Sequence, residues 1–265
     1  MCIRDRLYNI DLERYETFGL SLLENLLTDI GNSLHAPIDV YLIGGCNLAF
    51  RGIKGATKDI DVIVKNKADF ERLKKTLLKM GFSQKLLKNG SEPSGIFERK
   101  NMPRVDCFTR TVMNFFSLTN TISQRSELRK YGMLNVWLPS LEAIILFKSI
   151  TEREGDLEDV VEIIRKGRVD WEFLFEELKR QQRSIEQLLC LNVLDVFELV
   201  EKRANVCIPI IKKLTDLCLE YAILYLCREG PKSVSEMKAK LGFAEYTIRN
   251  MLRRLVREGK LKKEE

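Results

Sequence analysis

Thr57-Lys-Asp-Ile-Asp-Val-Ile-Val64, with Gly44-Gly-Cys-Asn-Leu-Ala-Phe-Arg51 upstream of it, decides how this chain is read. Asp59 to Val64 has the apolar content of a strand, and side chains along a strand alternate between faces. Asp59 and Asp61 therefore share one face, while Ile60, Val62 and Val64 take the other. Residues two apart on a strand lie roughly 6.5–7 Å from each other, which lets two carboxylates converge on one or two divalent cations. Without a counter-charge, two anions on a half-buried face repel, and one pKa rises. Magnesium, a hard cation that takes oxygen ligands, meets that need.

A third acid follows from the same alternation. In Arg104-Val-Asp-Cys-Phe108, Val105 and Cys107 point one way and Asp106 the other. Beside the first strand, Asp106 completes a three-carboxylate site. In metal-assisted phosphoryl transfer such a site binds a triphosphate through one metal, and a second metal activates the attacking hydroxyl. Gly44-Gly45 stands where a strand, Ile38 to Ile43, gives way to a short helix, Cys46 to Phe50. Lacking a Cβ, the backbone there can approach a phosphate, beside the free N–H groups of the helix start. Taken singly, a Gly-Gly pair is a common turn and an Asp-x-Asp a common edge strand. Together, with a later isolated strand Asp, they are specific.

Outward from this segment, Leu20, Leu23, Leu27 and Ile30 set a helical face within residues 11–34, closed by Pro37. Phe70, Leu73 and Leu77 do the same for Ala68 to Met80, with Gly81 as the stop. Phe82 to Leu87 and Gly95 to Arg99 can pair across the turn-rich Lys88 to Pro93, and Leu134 to Leu138 is a further strand. The fold class is α/β (α+β): a mixed sheet with flanking helices, followed by a helical region. Ser140 is placed to cap Leu141 to Thr151, and helices are expected at 155–166, 170–181, 184–204 and 207–228. The expected division is a domain over 1–139, a helical extension over 140–211 and a small domain over 212–265.

That last segment reads as a winged helix-turn-helix. Ser235 is expected to cap a short helix through Lys240, Gly242 supplies the turn, and a second helix runs from Ala244 to Arg257. Ile248, Leu252, Leu255 and Val256 are its expected inner face, and Gly259-Lys260-Leu261 the start of a wing. Tyr246, Thr247, Arg249, Asn250, Arg253 and Arg254 are then available for phosphates and base edges of DNA or RNA. From Lys212 to Glu265 the chain carries 13 Lys+Arg against 8 Asp+Glu, so +5 of the formal +6 lies there. Such a bias suits nucleic acid, and it also suits a solvated helical docking or dimerisation surface.

Composition removes other chemistries. One histidine, His35, sits at the expected end of a helix, so Ser-His-Asp and Cys-His catalysis have little support. The seven cysteines form no Cys-x-x-Cys pair and lie largely in apolar runs, as buried reduced thiols do. No apolar run is long enough to span a membrane, and Met1 to Arg6 lacks the apolar core of a signal peptide, so the cytoplasm is the expected location.

The ordered set Gly44-Gly45, Asp59-Ile-Asp61 and Asp106 resembles the nucleotidyltransferases of the DNA polymerase beta superfamily. The version Ile-Gly-Gly-x-x-Leu-Ala, Arg, Thr-x-Asp-Ile-Asp is similar to the minimal members, including the AbiEii-type toxins. The resemblance covers residues 38–180 and is specific within 38–108. It extends through Leu146 to Asp159, where relatives place a helical Lys, then an Arg, then Asp-Leu-x-Asp. It implies a nucleotidyltransferase-fold sheet, magnesium on Asp59, Asp61 and Asp106, and catalysis by those three acids. It also implies nucleotide contacts at Gly44, Gly45, Arg51, Lys58, Lys148 and Asp156, with Asp156 supporting Lys148 or the acceptor. The implied substrates are a nucleoside triphosphate and an RNA, tRNA included, or protein acceptor, and an antitoxin is an implied partner. One departure stands: many active members carry Ser after the first Gly, and this chain has Gly45. A non-catalytic nucleotide-sensing, DNA-binding regulator or antitoxin is the competing reading.

Overall fold

Contacts divide the chain into two compact units in a computed structural model that describes residues 17–85, 94–112, 115–150, 153–182 and 188–262. The first unit holds the described residues through Thr109 together with Leu128–Trp137; the second holds Arg110–Glu127 and the chain from Leu138 onward. In chain order the sheet-bearing part runs β1 (Phe18–Gly19), α1 (Leu20–Ser33), β2 (Ile38–Ile43), α2 (Gly44–Phe50), β3 (Ala56–Thr57), β4 (Asp59–Val64) and α3 (Lys67–Lys79). It continues with β5 (Ser83–Lys85), β6 (Gly95–Glu98), β7 (Arg104–Thr109), β8 (Thr111–Val112), β9 (Phe116–Ser117), α4 (Asn120–Gln124), β10 (Glu127–Tyr131) and β11 (Leu134–Leu138).

Seven strands form one mixed sheet in the order β10-β11-β2-β4-β7-β6-β5. The strand β2 runs parallel to β11 and antiparallel to β4, and β4 runs parallel to β7. Both central strands are buried almost throughout, so they read as apolar runs broken by acids, as strands covered on both faces do. Cover comes from α1, which buries Leu23, Leu26, Leu27 and Ile30, and from α3, which buries Phe70, Leu73 and Leu77. The expected α1 face needs one correction: Leu20, in the first turn, is 37% exposed, and Leu26 takes its place in the core. Asn66 caps α3 by accepting from the Asp69 amide at 2.9 Å, and Gly81, at φ +84°, follows its end. The expected hairpin is present as β5 antiparallel to β6; its turn at 88–93 and residues 11–16 lie outside the described residues.

The second unit is helical beyond the small β8–β9 pair: α5 (Leu141–Lys148), α6 (Glu154–Lys166), α7 (Trp171–Gln181), α8 (Leu189–Ala204), α9 (Ile211–Cys227), α10 (Val234–Leu241) and α11 (Glu245–Arg257). Ser140 occupies the position before α5, but its hydroxyl is buried and makes no capping bond. Ser233, not Ser235, caps α10, because only Ser233 stands three residues before a glutamate: Glu236 and Ser233 form a reciprocal capping box. Leu219 and Ile223 of α9 pack with Met237 of α10 and with Ile248, Met251 and Leu255 of α11. Val256, expected inside, is 41% exposed, because the buried stripe falls at 248, 251 and 255. After α11, Gly259 at φ +70° turns the chain, and the Lys260 and Leu261 amides donate back to the Leu255 carbonyl. No wing strand follows among the described residues.

Candidate active site

Parallel pairing of β4 with β7 sets Asp59 opposite Arg104 and Asp61 opposite Asp106. Strand periodicity puts these four side chains on one face, and neighbouring strands lie only about 4.8 Å apart. One oxygen from each of Asp59, Asp61 and Asp106 lies within 4.8 Å of the other two. Asp59 and Asp61 are half-buried and Asp106 is buried. The Oδ1 atom of Asp106 is buried with no hydrogen-bond partner. Three carboxylates so gathered, one of them with an unsatisfied oxygen, fit a divalent cation such as magnesium.

Arg104 belongs to the same cluster. Its Nη2 donates to Asp59 Oδ2 at 3.1 Å and to Asp106 Oδ2 at 2.8 Å. Burial works against the guanidinium charge, but Asp106 and Asp59 outweigh it, and the Arg104 pKa is raised. Burial also pushes the Asp106 carboxyl above the usual carboxylate range; the pull of Arg104 downward is smaller, and Asp59 adds to the rise. The Cys46 thiol is held well above its ordinary value, first by burial, then by Asp61 and Asp59, so it stays protonated.

The glycine turn is packed against the acids. Gly44 has φ +65°, and a Cβ there would sit 2.2 Å from Asp61 Oδ2. A Cβ at Gly45 would sit 2.8 Å from the Thr57 hydroxyl and 3.5 Å from Lys54 Nζ. Gly44 is favoured by its left-handed backbone, and a side chain at either position would have to displace a neighbouring side chain. Arg51 follows α2, and its Nε donates to Asn47 Oδ1 at 3.1 Å while Asn47 Nδ2 holds the Leu42 carbonyl at 2.9 Å. Lys58 is exposed, next to Asp59.

The other sequence-predicted residues lie in the second unit. Lys148 donates to Asp156 and to Asp159, both at 2.7 Å, and Arg153 Nε donates to the second Asp156 oxygen at 2.7 Å. Lys148 is only 7% exposed, so it is no solvated helix lysine. On α11, Tyr246 is 71% exposed, Asn250 and Arg253 are exposed, and Thr247 is half-buried. Arg249 pairs with Glu245 one turn back at 2.6 Å. Arg254 is turned onto Glu220 of α9, which also takes Lys260 at 2.6 Å.

Sequence reasoning missed Arg104, Thr57, Lys54 and Asp159. The signal for Arg104 was available, since it stands two residues before Asp106 and so shares its face. Thr57 stood in the Thr-x-Asp-Ile-Asp pattern without a role, and Lys54 carried no signal, because the turn after α2 brings it to Gly45.

Acids thus converge from two parallel strands beside a Gly-Gly turn. The family described as "Nucleotidyltransferase of unknown function (DUF6036)" matches residues 23–190, and the chain belongs to it. Among solved structures, the chain is similar to an antigenic nucleotidyltransferase-like protein from Paracoccidioides brasiliensis. The identity is 16%, over 76% of this chain and 95% of that one, at a TM-score of 0.46. It is also similar to a protein from H. pylori described as a nucleotidyltransferase, at 14% identity over 77% and 94% of the two chains, with a TM-score of 0.36. Likenesses this distant carry no argument about substrate. No curated protein matches the chain. No described helix is long and apolar enough to cross a membrane.

Proposed function

We propose that this chain transfers a nucleoside monophosphate from a nucleoside triphosphate to a hydroxyl on RNA, tRNA included, or on protein, in the cytoplasm. The acceptor oxygen bonds the α-phosphorus as the bond to the leaving pyrophosphate breaks, and the hydroxyl proton passes to a base. Asp106, in register beside Asp61, either helps to take that proton or binds metal. Asp59, Asp61 and Asp106 would hold magnesium, as one ion or two, which when bound neutralises phosphate charge and acidifies the acceptor hydroxyl. Gly44 and Gly45 leave the phosphates room, and Arg51 and Lys58 supply positive charge. Nucleotide roles for Lys148 and Asp156 rest on the family resemblance, as does an antitoxin partner. The observation that carries the reading is the approach of three carboxylate oxygens within 4.8 Å. The test is incubation of the pure chain with magnesium, labelled triphosphates and total RNA, beside an Asp59→Ala/Asp61→Ala control. Labelling of RNA or of protein by the wild type alone supports the reading and identifies the acceptor; equal background labelling in both defeats it.

A second reading, a nucleotide-sensing, DNA-binding regulator or antitoxin without catalysis, is favoured by the outer face of α11, where Tyr246, Asn250 and Arg253 are exposed. It requires a gel shift on the gene's own promoter region that Arg249→Ala/Arg253→Ala weakens. Unchanged binding by that variant removes α11 as the reader.

A further inference from the structure

Arg104 is a cation that the family resemblance leaves without a role. It pairs in register with Asp59 on the neighbouring strand and stands two residues before Asp106 on its own. One nitrogen bridges the two acids through their Oδ2 atoms, at 3.1 and 2.8 Å. The other oxygen of Asp106 is buried without a partner. A buried acceptor in that state carries an uncompensated desolvation cost unless something binds it. A carboxylate pinned at one oxygen and bare at the other is already oriented for a hard cation.

We propose that Arg104 is a positioning residue: by holding Asp59 and Asp106 through Oδ2, it keeps both carboxylates gathered with that of Asp61, as a single divalent cation needs. The inference rests on the reading of the three acids as a metal site. Two effects of opposite sign meet here. A guanidinium this close repels a cation, so by charge alone its removal tightens binding. Without the bridge, Asp59 and Asp106 repel each other and lose their common orientation. Groups that orient metal-binding carboxylates are worth roughly 10–100-fold in affinity, and we take this second effect to win. Lysine would restore the charge on a flexible stem, without the rigid planar guanidinium that aims Nη2 at both carboxylates.

The experiment titrates the full chain with Mn2+ and follows the free-ion signal by electron paramagnetic resonance. It compares wild type with Arg104→Met, Arg104→Lys and Arg104→Ala, and circular dichroism checks the fold of each. Met and Lys variants are expected to bind roughly 10–100-fold more weakly, with millimolar guanidinium recovering part of the loss in Arg104→Ala. Equal or tighter binding by folded Arg104→Met overturns the proposal. Should that variant not fold, wild-type affinity in folded Arg104→Lys overturns it. A wild type that binds no Mn2+ sinks the metal-site reading itself, and this inference with it, whereas a wild type that binds while the variants match it sinks only the role of Arg104.

Discussion

Two clusters in this chain set one basic side chain between two aspartates. In the first unit Arg104 bridges Asp59 and Asp106, Asp61 stands beside them, and Asp106 Oδ1 is left without a partner. In the second, Lys148 is closed between Asp156 and Asp159, and Arg153 takes the remaining Asp156 oxygen. The second cluster is a clasp that ties the end of α5 to α6; its charges answer one another inside the fold. The first gathers a third acid and leaves an oxygen unsatisfied, an arrangement that favours a bound cation. What separates a ligand site from a clasp is unsatisfied donor capacity, not the presence of an ion pair.

Removing the first cluster is expected to cost function and spare the fold. For Asp59→Ala/Asp61→Ala the transfer rate should fall on the order of a thousand-fold, about 4 kcal/mol of barrier, with Mn2+ binding lost and the melting temperature not lowered. Unfolding of that variant would make the acids structural and erase the contrast. Removing the clasp should cost stability, whatever it does to transfer: Lys148→Met strands two buried carboxylates and should destabilise by about 3–5 kcal/mol in urea melts. A loss of under about 1 kcal/mol with transfer abolished would move Lys148 from the clasp into the reaction.

The clasp also has a pH signature. Burial alone would lower the Lys148 pKa, but Asp156 and Asp159 outweigh it, and the folded value is raised. The folded state therefore holds the proton more tightly than the unfolded one. The stabilisation is complete below the ordinary lysine pKa of about 10.4 and is lost as pH rises through the raised folded value. The stability difference between wild type and Lys148→Met should therefore shrink only in strongly alkaline buffer; shrinkage near neutrality would contradict the pairing. A smaller effect compares two glycines, Gly44 at φ +65° and Gly242 at φ +71°. Gly242→Ala meets nothing within 4 Å and should cost only the left-handed backbone strain, roughly 1–2 kcal/mol. Gly44→Ala adds the collision with Asp61 Oδ2 and should cost more stability, together with Mn2+ affinity. Equal losses at the two positions would show that the Gly44 turn does not constrain the acid.

The central strands were legible because their signal is local: Ile38–Ile43 and Asp59–Val64 are apolar runs with bounds visible in the sequence. Ser140 and Ser235 show where that locality ends. A capping serine was expected at both, but a cap forms only when the hydroxyl reaches a free amide, and of the serines near α10 it is Ser233 that has Glu236 to complete the box. Val256 illustrates the same limit, since an apolar residue one step off the buried stripe faces outward.

By itself the sequence determined that Asp59 and Asp61 share a face, that Asp106 opposes Val105 and Cys107, and that the chain turns on glycine before its acids. A period of two along a strand is a property of consecutive residues and needs no partner. Only the tertiary structure decided that β7 lies beside β4 in the register that sets Asp61 against Asp106. The same is true of Arg104 reaching across to Asp59, 45 residues away, and of Lys148 being buried between two acids. Those facts depend on which strands and helices become neighbours, a choice made by the packing of the whole sheet and core.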